Sequence, residues 1–234
     1  MNQDELKRLV GTAAADRYVR SGMRLGLGTG STAVWAVRRV GELYREGALR
    51  DLLAVATSTQ TVYECQTLGI PLRSMNDPEI SGELDLTIDG ADEVDPLLRL
   101  IKGGGGALLI EKIVAYASKR FVTAVDDSKL VKHLGMKFPI PVEVVREARV
   151  PVTKALSALG AKVEVRMAVR KMGPVITDNG NILLDIRFPS PIDPGALERE
   201  INLIPGVVEN GLFTRIAPVV LAGHPDGTIE TITA

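Results

Sequence analysis

The sequence predicts an α/β chain: a parallel sheet covered by helices on both faces, with a smaller α+β unit set into its later half. Three observations carry that expectation. Short apolar strands alternate with helical stretches through the first 135 residues. The early strands are apolar along their length and stop in glycines or acids, as strands buried on both faces do. Near residue 136 the order changes to β-α-β-β-α-β, the order of a ferredoxin-like unit.

Residues 4–19 place Leu6, Leu9, Val10, Ala13, Ala14 and Tyr18 at helical spacing. MRLGLGTG reads as a strand ending in glycines, and STAVWAVRRVGELYREG as a helix. LLAVATS is a strand, TQTVYECQTLG a helix, and LDLTIDGAD a strand that ends in acids. RLIKGGGG leads into the helix ALLIEKIVAYAS, and FVTAVDDSK is a further strand. From FPIPVEVV the expected order is strand, helix (PVTKALSALGA), strand (KVEVRMAV), strand (GPVIT), strand (NILLDIRF), helix (PGALEREIN) and strand (PGVVENGLF). The Asp178-Asn179-Gly180 turn between two β-rich runs is a hairpin signal. RIAPVVLAGHPDGTIETIT gives two strands around a PDG turn and is expected to rejoin the first sheet. The expected domains are therefore 1–135 with 208–234, and 136–207.

Composition narrows the function. Net charge is −1, which argues against a phosphate-backbone binder, and aromatics are 4%, too few for base-stacking platforms. No nucleic-acid partner is expected. The N-terminus lacks the charged-then-apolar order of a signal peptide, no apolar run reaches membrane-spanning length, and the single cysteine, Cys65, forms no internal disulfide. The expected location is the cytoplasm, with no membrane partner.

GLGTGST, residues 26–32, follows a strand and precedes a helix. Gly26 and Gly28 let backbone approach a ligand, Thr29, Ser31 and Thr32 offer hydroxyls, and a helix N-terminus favours anions. A dinucleotide fingerprint needs glycine where Ser31 stands, and a P-loop needs a lysine that is absent. A generic phosphate cradle survives, and a tight βα turn with an ordinary Ser/Thr cap fits equally.

Asp89, Asp92 and Glu93 of DGADE end another strand, where open parallel sheets bind ligands. A solvated loop and a metal site are the alternatives. The metal reading is weakened because the only histidines, His133 and His224, have no other plausible ligand near them in sequence. KGGGG, residues 102–106, places bare backbone between a lysine and a helix, a geometry suited to a developing oxyanion. Glu111 lies in the second turn of that helix, and its helical neighbours Ala107, Leu108, Val114 and Ala115 are uncharged. Such neighbours leave room to desolvate a carboxylate, which favours its neutral form and suits a general base near neutrality. An exposed helix glutamate fits these residues as well.

Taken together and in order, GLGTGSTA, DGADE, KGGGGALLIEK and DDSK resemble the type A ribose-5-phosphate isomerase family, with DELK and GVVENGLF extending the likeness along the chain. At 106 the chain has glycine where alanine is expected to be common in that family. The resemblance implies a Rossmann-like catalytic domain with a smaller α+β domain, no metal, no cofactor, a sugar-phosphate substrate, and a homodimer or homotetramer. It implies that Glu111 moves a proton between C2 and C1, beside Lys102 as the cation near the oxygens. Asp89 and Asp92, with Gly90 and Ala91 between them, match the acids that act in ring opening and orient the sugar hydroxyls. Thr29, Gly30, Ser31 and Thr32 match the substrate-binding turn. Gly103, Gly104 and Gly105 match the loop that admits a planar enediolate. Lys129 and Lys7 match the lysines at the phosphate end. Sugar-phosphate deaminases, lactonases and coenzyme A transferases share the glycine turn, and a sugar-phosphate sensor would bind without chemistry. A sensor leaves Glu111 and the four glycines without a task.

Overall fold

The structure, a computed structural model, describes residues 1–234. In chain order the elements are α1 (Gln3–Tyr18), β1 (Arg24–Leu27), α2 (Ala33–Arg45), β2 (Leu53–Ala56), α3 (Thr59–Leu68), β3 (Leu86–Asp89), β4 (Glu93–Val94), β5 (Leu100–Ile101), α4 (Leu108–Tyr116) and β6 (Phe121–Asp126). There follow β7 (Ile140–Val144), α5 (Arg149–Ala158), β8 (Lys162–Val165), β9 (Ile182–Arg187), α6 (Pro194–Asn202), β10 (Val207–Asn210), β11 (Leu212–Phe213), β12 (Val219–Gly223) and β13 (Ile229–Ile232).

The chain forms two compact units. The larger holds Met1–Ala91, Ile110–Lys129 and Ile216–Ala234, and the smaller holds Asp92–Leu109 and Leu130–Arg215. The expected 136–207 segment is thus only part of the smaller unit, which also takes in the chain from DGADE's second aspartate through the glycine loop.

In the larger unit six strands run in the order β13-β12-β6-β3-β1-β2, parallel except for β13. All residues of β3 and β6 are buried, the polar Thr87, Asp89, Thr123 and Asp126 among them, while edge strand β13 is exposed or only partly buried throughout. Leu25, Leu27, Leu86, Ile88, Val122 and Ala124 pack with Val10 and Ala14 of α1 and Val37 and Val40 of α2 in one core. Helix α1 starts at a capping box: Asn2 Oδ1 accepts the Glu5 N–H at 2.9 Å and Glu5 Oε2 accepts the Asn2 N–H at 2.8 Å. Strand order reverses at β1, whose neighbours are β2 on one side and β3 on the other. The C-terminal ends of β1 and β3 therefore flank a topological switch point, the place where open parallel sheets hold ligands.

In the smaller unit β7-α5-β8-β9-α6-β10 folds into an antiparallel sheet of order β10-β7-β9-β8, the ferredoxin-like arrangement. A second sheet, β11-β5-β4, was not expected. Its strands are two residues long, too short for a periodic signal. Two strand expectations are corrected. GPVIT makes only isolated bridges, Met167 to Pro174 and Ile176 to Ile182, although the hairpin still closes through Thr177 and Asn181. PGVVENGLF is two strands broken at Gly211. No helix is long and apolar enough to cross a membrane.

Candidate active site

In the larger unit, Gly28 leaves β1 against the carboxylate at the end of β3. A side chain on Gly28 would overlap Asp89, so glycine is required for this approach. Asp89 is fully buried and its Oδ1 accepts two backbone N–H groups, from Thr29 at 3.1 Å and Gly90 at 2.7 Å. The glycine turn and the first acid of DGAD are thereby one hydrogen-bonded unit. Gly30 has φ +100° with open space on its Cβ side. Ser31 is exposed. Thr32 stands at the N-cap of α2, yet its side chain makes no capping bond, so its hydroxyl is not consumed by the helix.

Sequence reading missed what holds Thr29. Its Oγ1 lies 2.7 Å from Thr57 Oγ1, 2.7 Å from Ser58 Oγ and 3.3 Å from Thr61 Oγ1. Thr61 Oγ1 also donates to the Gly28 carbonyl at 2.8 Å. These hydroxyls come from the end of β2 and the start of α3, in ATSTQT, a run of Ser and Thr that was available as a signal.

Glu111, on α4, is 3% exposed, which rules out the solvent-facing alternative. Lys129 ends a 3₁₀ turn after β6, where Asp126 Oδ1 accepts from the Ser128 N–H at 3.2 Å and from the Ser128 hydroxyl. Lys7 lies on α1 with its ammonium 3.3 Å from Asp4 Oδ1.

In the smaller unit, Lys102 follows β5 and is 3% exposed, with its ammonium 5.7 Å from the centroid of the Phe213 ring. Its backbone N–H donates to the Gly211 carbonyl at 2.9 Å, and Gly211 N–H donates to Pro141 at 2.7 Å. A side chain on Gly211 would overlap the Lys102 carbonyl, which explains the glycine in GVVENGLF and the break between β10 and β11. Glu93, grouped with the acids by sequence, holds a loop instead. Its carboxylate accepts the N–H groups of Gly135 at 2.7 Å, Lys137 at 3.0 Å and Phe138 at 2.6 Å.

The glycine loop is not a uniform row of donors. Gly104 N–H donates to Asp92 Oδ2 at 2.7 Å, and Gly106 N–H to the Gly103 carbonyl at 3.0 Å. Gly103 and Gly106 lie at φ +105° and +82°, left-handed conformations that glycine enters without a Cβ clash. Gly104 and Gly105 are exposed.

Residues 53–227 match the family model of ribose 5-phosphate isomerase A, also described as phosphoriboisomerase A. The protein named ribose-5-phosphate isomerase A of Treponema denticola is 50% identical over 239 residues, spanning 99% of this chain and 100% of that one. A solved ribose 5-phosphate isomerase A from Methanocaldococcus jannaschii is 45% identical with a TM-score of 0.91, over 98% of this chain and 99% of that one. A D-ribose-5-phosphate isomerase in complex with phospho-erythronic acid is 41% identical with a TM-score of 0.95, over 100% of both chains.

Proposed function

Because the chain belongs to the ribose 5-phosphate isomerase A family, we propose that it interconverts D-ribose 5-phosphate and D-ribulose 5-phosphate through an enediolate, using the residues described above. Glu111 is the base. It takes the C2 proton of the aldose, the C–H electron pair becomes the C1–C2 double bond, and charge collects on O1. Return of the proton at C1, with the O2 hydroxyl proton passing to O1, gives the ketose. Lys102 and glycine-loop N–H groups stabilise the oxygens, Asp89 and Asp92 orient the sugar hydroxyls, and the Thr29–Thr32 turn with Lys129 and Lys7 takes the remainder of the substrate.

The observation that carries this reading is the burial of Glu111 and Lys102, each 3% exposed, at the two ends of the glycine-loop segment. Burial removes both side chains from bulk water, the setting in which a base and a cation act most strongly on a bound substrate. The relative in complex with phospho-erythronic acid adds support, since a carboxylate offers a planar anion like the enediolate. The mechanism uses no metal. The same reading assigns a homodimer or homotetramer in the cytoplasm; light scattering reads the oligomeric state.

Incubation with ribose 5-phosphate is expected to yield ketose, with activity kept after exhaustive chelation. Turnover in deuterated water is expected to place deuterium on the carbon that receives the proton. Activity lost on chelation and restored by a divalent metal, with no solvent label in the product, overturns the enediolate route and makes DGADE a metal site.

A further inference from the structure

Arg166 immediately follows β8 in the ferredoxin-like sheet, and its backbone is fixed on both sides. Its N–H donates to the Leu183 carbonyl at 2.9 Å and its carbonyl accepts from Val175 at 2.9 Å. Its guanidinium is clamped by Asp185 of β9, with Nε donating to Oδ2 at 2.8 Å and Nη2 to Oδ1. The two side chains are only 15% and 21% exposed. A guanidinium is planar and rigid, so a carboxylate along one edge aims the remaining nitrogen. That nitrogen, Nη1, donates to two carbonyls of the glycine loop, Gly103 at 2.8 Å and Gly104 at 3.1 Å.

The consequence follows from peptide geometry. All peptides here are trans, so the C=O and N–H of one peptide point in opposite directions. The Gly103 carbonyl shares its peptide with the Gly104 N–H, which Asp92 holds. The Gly104 carbonyl shares its peptide with the Gly105 N–H. Arg166 draws that carbonyl to its own side and so turns the Gly105 N–H to the opposite side. Glycine has no side chain to resist rotation of such a peptide, so an outside anchor is needed to keep one orientation. A cation at the carbonyl end also polarises the peptide and strengthens its N–H as a donor. Asp185 balances the arginine's charge, so the pair contributes orientation rather than long-range attraction for an anion.

We propose that Arg166, clamped by Asp185, is a positioning residue for the isomerisation: it sets the peptide orientation of the glycine loop so that the Gly105 N–H faces the anionic oxygens of the enediolate. This rests on the function proposed above. The ferredoxin-like sheet thereby takes part in catalysis through a residue that touches no substrate.

The test compares wild type, Arg166→Ala, Arg166→Lys and Asp185→Asn for kcat, KM, inhibition by phospho-erythronic acid and unfolding midpoint. For Arg166→Ala, kcat falls by about 10- to 100-fold, part of what loss of a whole oxyanion donor costs, while KM stays within about threefold. Inhibition by phospho-erythronic acid weakens in step with kcat. Arg166→Lys recovers little, because an ammonium cannot serve Asp185 and two carbonyls in one plane. Guanidinium ion at sub-denaturing concentration restores part of the Arg166→Ala rate and none of the Glu111→Gln rate. A strut with a purely structural role would lower the unfolding midpoint and leave kcat per folded molecule unchanged. An Arg166→Ala enzyme with kcat within twofold of an active wild type therefore overturns the proposal and leaves the isomerase reading standing. If Arg166→Ala does not fold, Asp185→Asn decides by the same criterion. A wild type that produces no ketose overturns the isomerase reading and this inference with it.

Discussion

Gly104 donates its backbone N–H to Oδ2 of Asp92 at 2.7 Å, so the second acid of DGAD and the glycine loop are fastened to each other. Asp92 thus has an anchoring task beside any contact with substrate. A Cβ at Gly104 would lie 2.5 Å from Asp92 Oδ1 and 3.0 Å from Phe138 Cζ. Gly104→Ala is therefore expected to push Asp92 or the Phe138 ring aside and to lower kcat by at least about tenfold, by displacing the loop. Gly104 is exposed, so the unfolding midpoint should move little. Steady-state kinetics beside thermal melts separates the two, and a fully active variant would show that the Asp92 anchor is dispensable.

Glu111→Gln keeps the size of the side chain and removes the carboxylate proposed as the base. We expect kcat to fall by about 10²–10⁴, with KM largely kept. A variant within a few-fold of wild type would move the base elsewhere, to Asp89 or Asp92.

Lys129 sits at the end of a turn fixed by Asp126 and Ser128. Lys129→Ala is predicted to raise KM chiefly, with some loss of kcat, because binding energy at the phosphate also holds the sugar in register. Ribose without phosphate should be a poor substrate. Equal turnover of ribose and ribose 5-phosphate at low concentration would remove the phosphate role from this turn.

Asp85 offers a test of stability against pH. The Arg24 backbone N–H at 2.9 Å, helped by Lys119 at 2.9 Å, holds its carboxyl down at about 2, below the 3.8 of a free aspartate. A depressed carboxylate contributes stability above its unfolded value and loses it as pH falls through its folded value. Asp85→Asn should therefore be less stable than wild type at pH 6, by on the order of 1 kcal/mol at this partly solvated site, with the gap closing between about pH 4 and pH 2. Denaturant midpoints at pH 6 and pH 2.5 check it, and a gap that does not depend on pH would assign the effect to shape rather than charge.

The alternation of strands and helices and the ferredoxin-like order were legible in the sequence because each leaves a local trace. Buried parallel strands are rich in apolar residues, as Leu86 and Ile88 of β3 and Phe121, Val122, Ala124 and Val125 of β6 show, and a close backbone approach needs glycine, as Gly28 against Asp89 shows. The two-residue strands β4, β5 and β11 were not legible, since they are shorter than any periodicity.

The order of the motifs nominates residues for the chemistry; how many of their atoms are already engaged is visible only once the chain is folded. Nothing in KGGGG says that Gly104 N–H goes to Asp92, or that Arg166 holds the carbonyls of Gly103 and Gly104 from 62 or 63 positions away. Nothing in GLGTGST says that Thr29 is gripped by hydroxyls from β2 and α3. Strand and turn preferences act over a few residues and print a pattern on the local sequence. A hydrogen bond between distant residues depends on how whole elements pack in register, and that is set by the summed burial of both cores rather than by either partner.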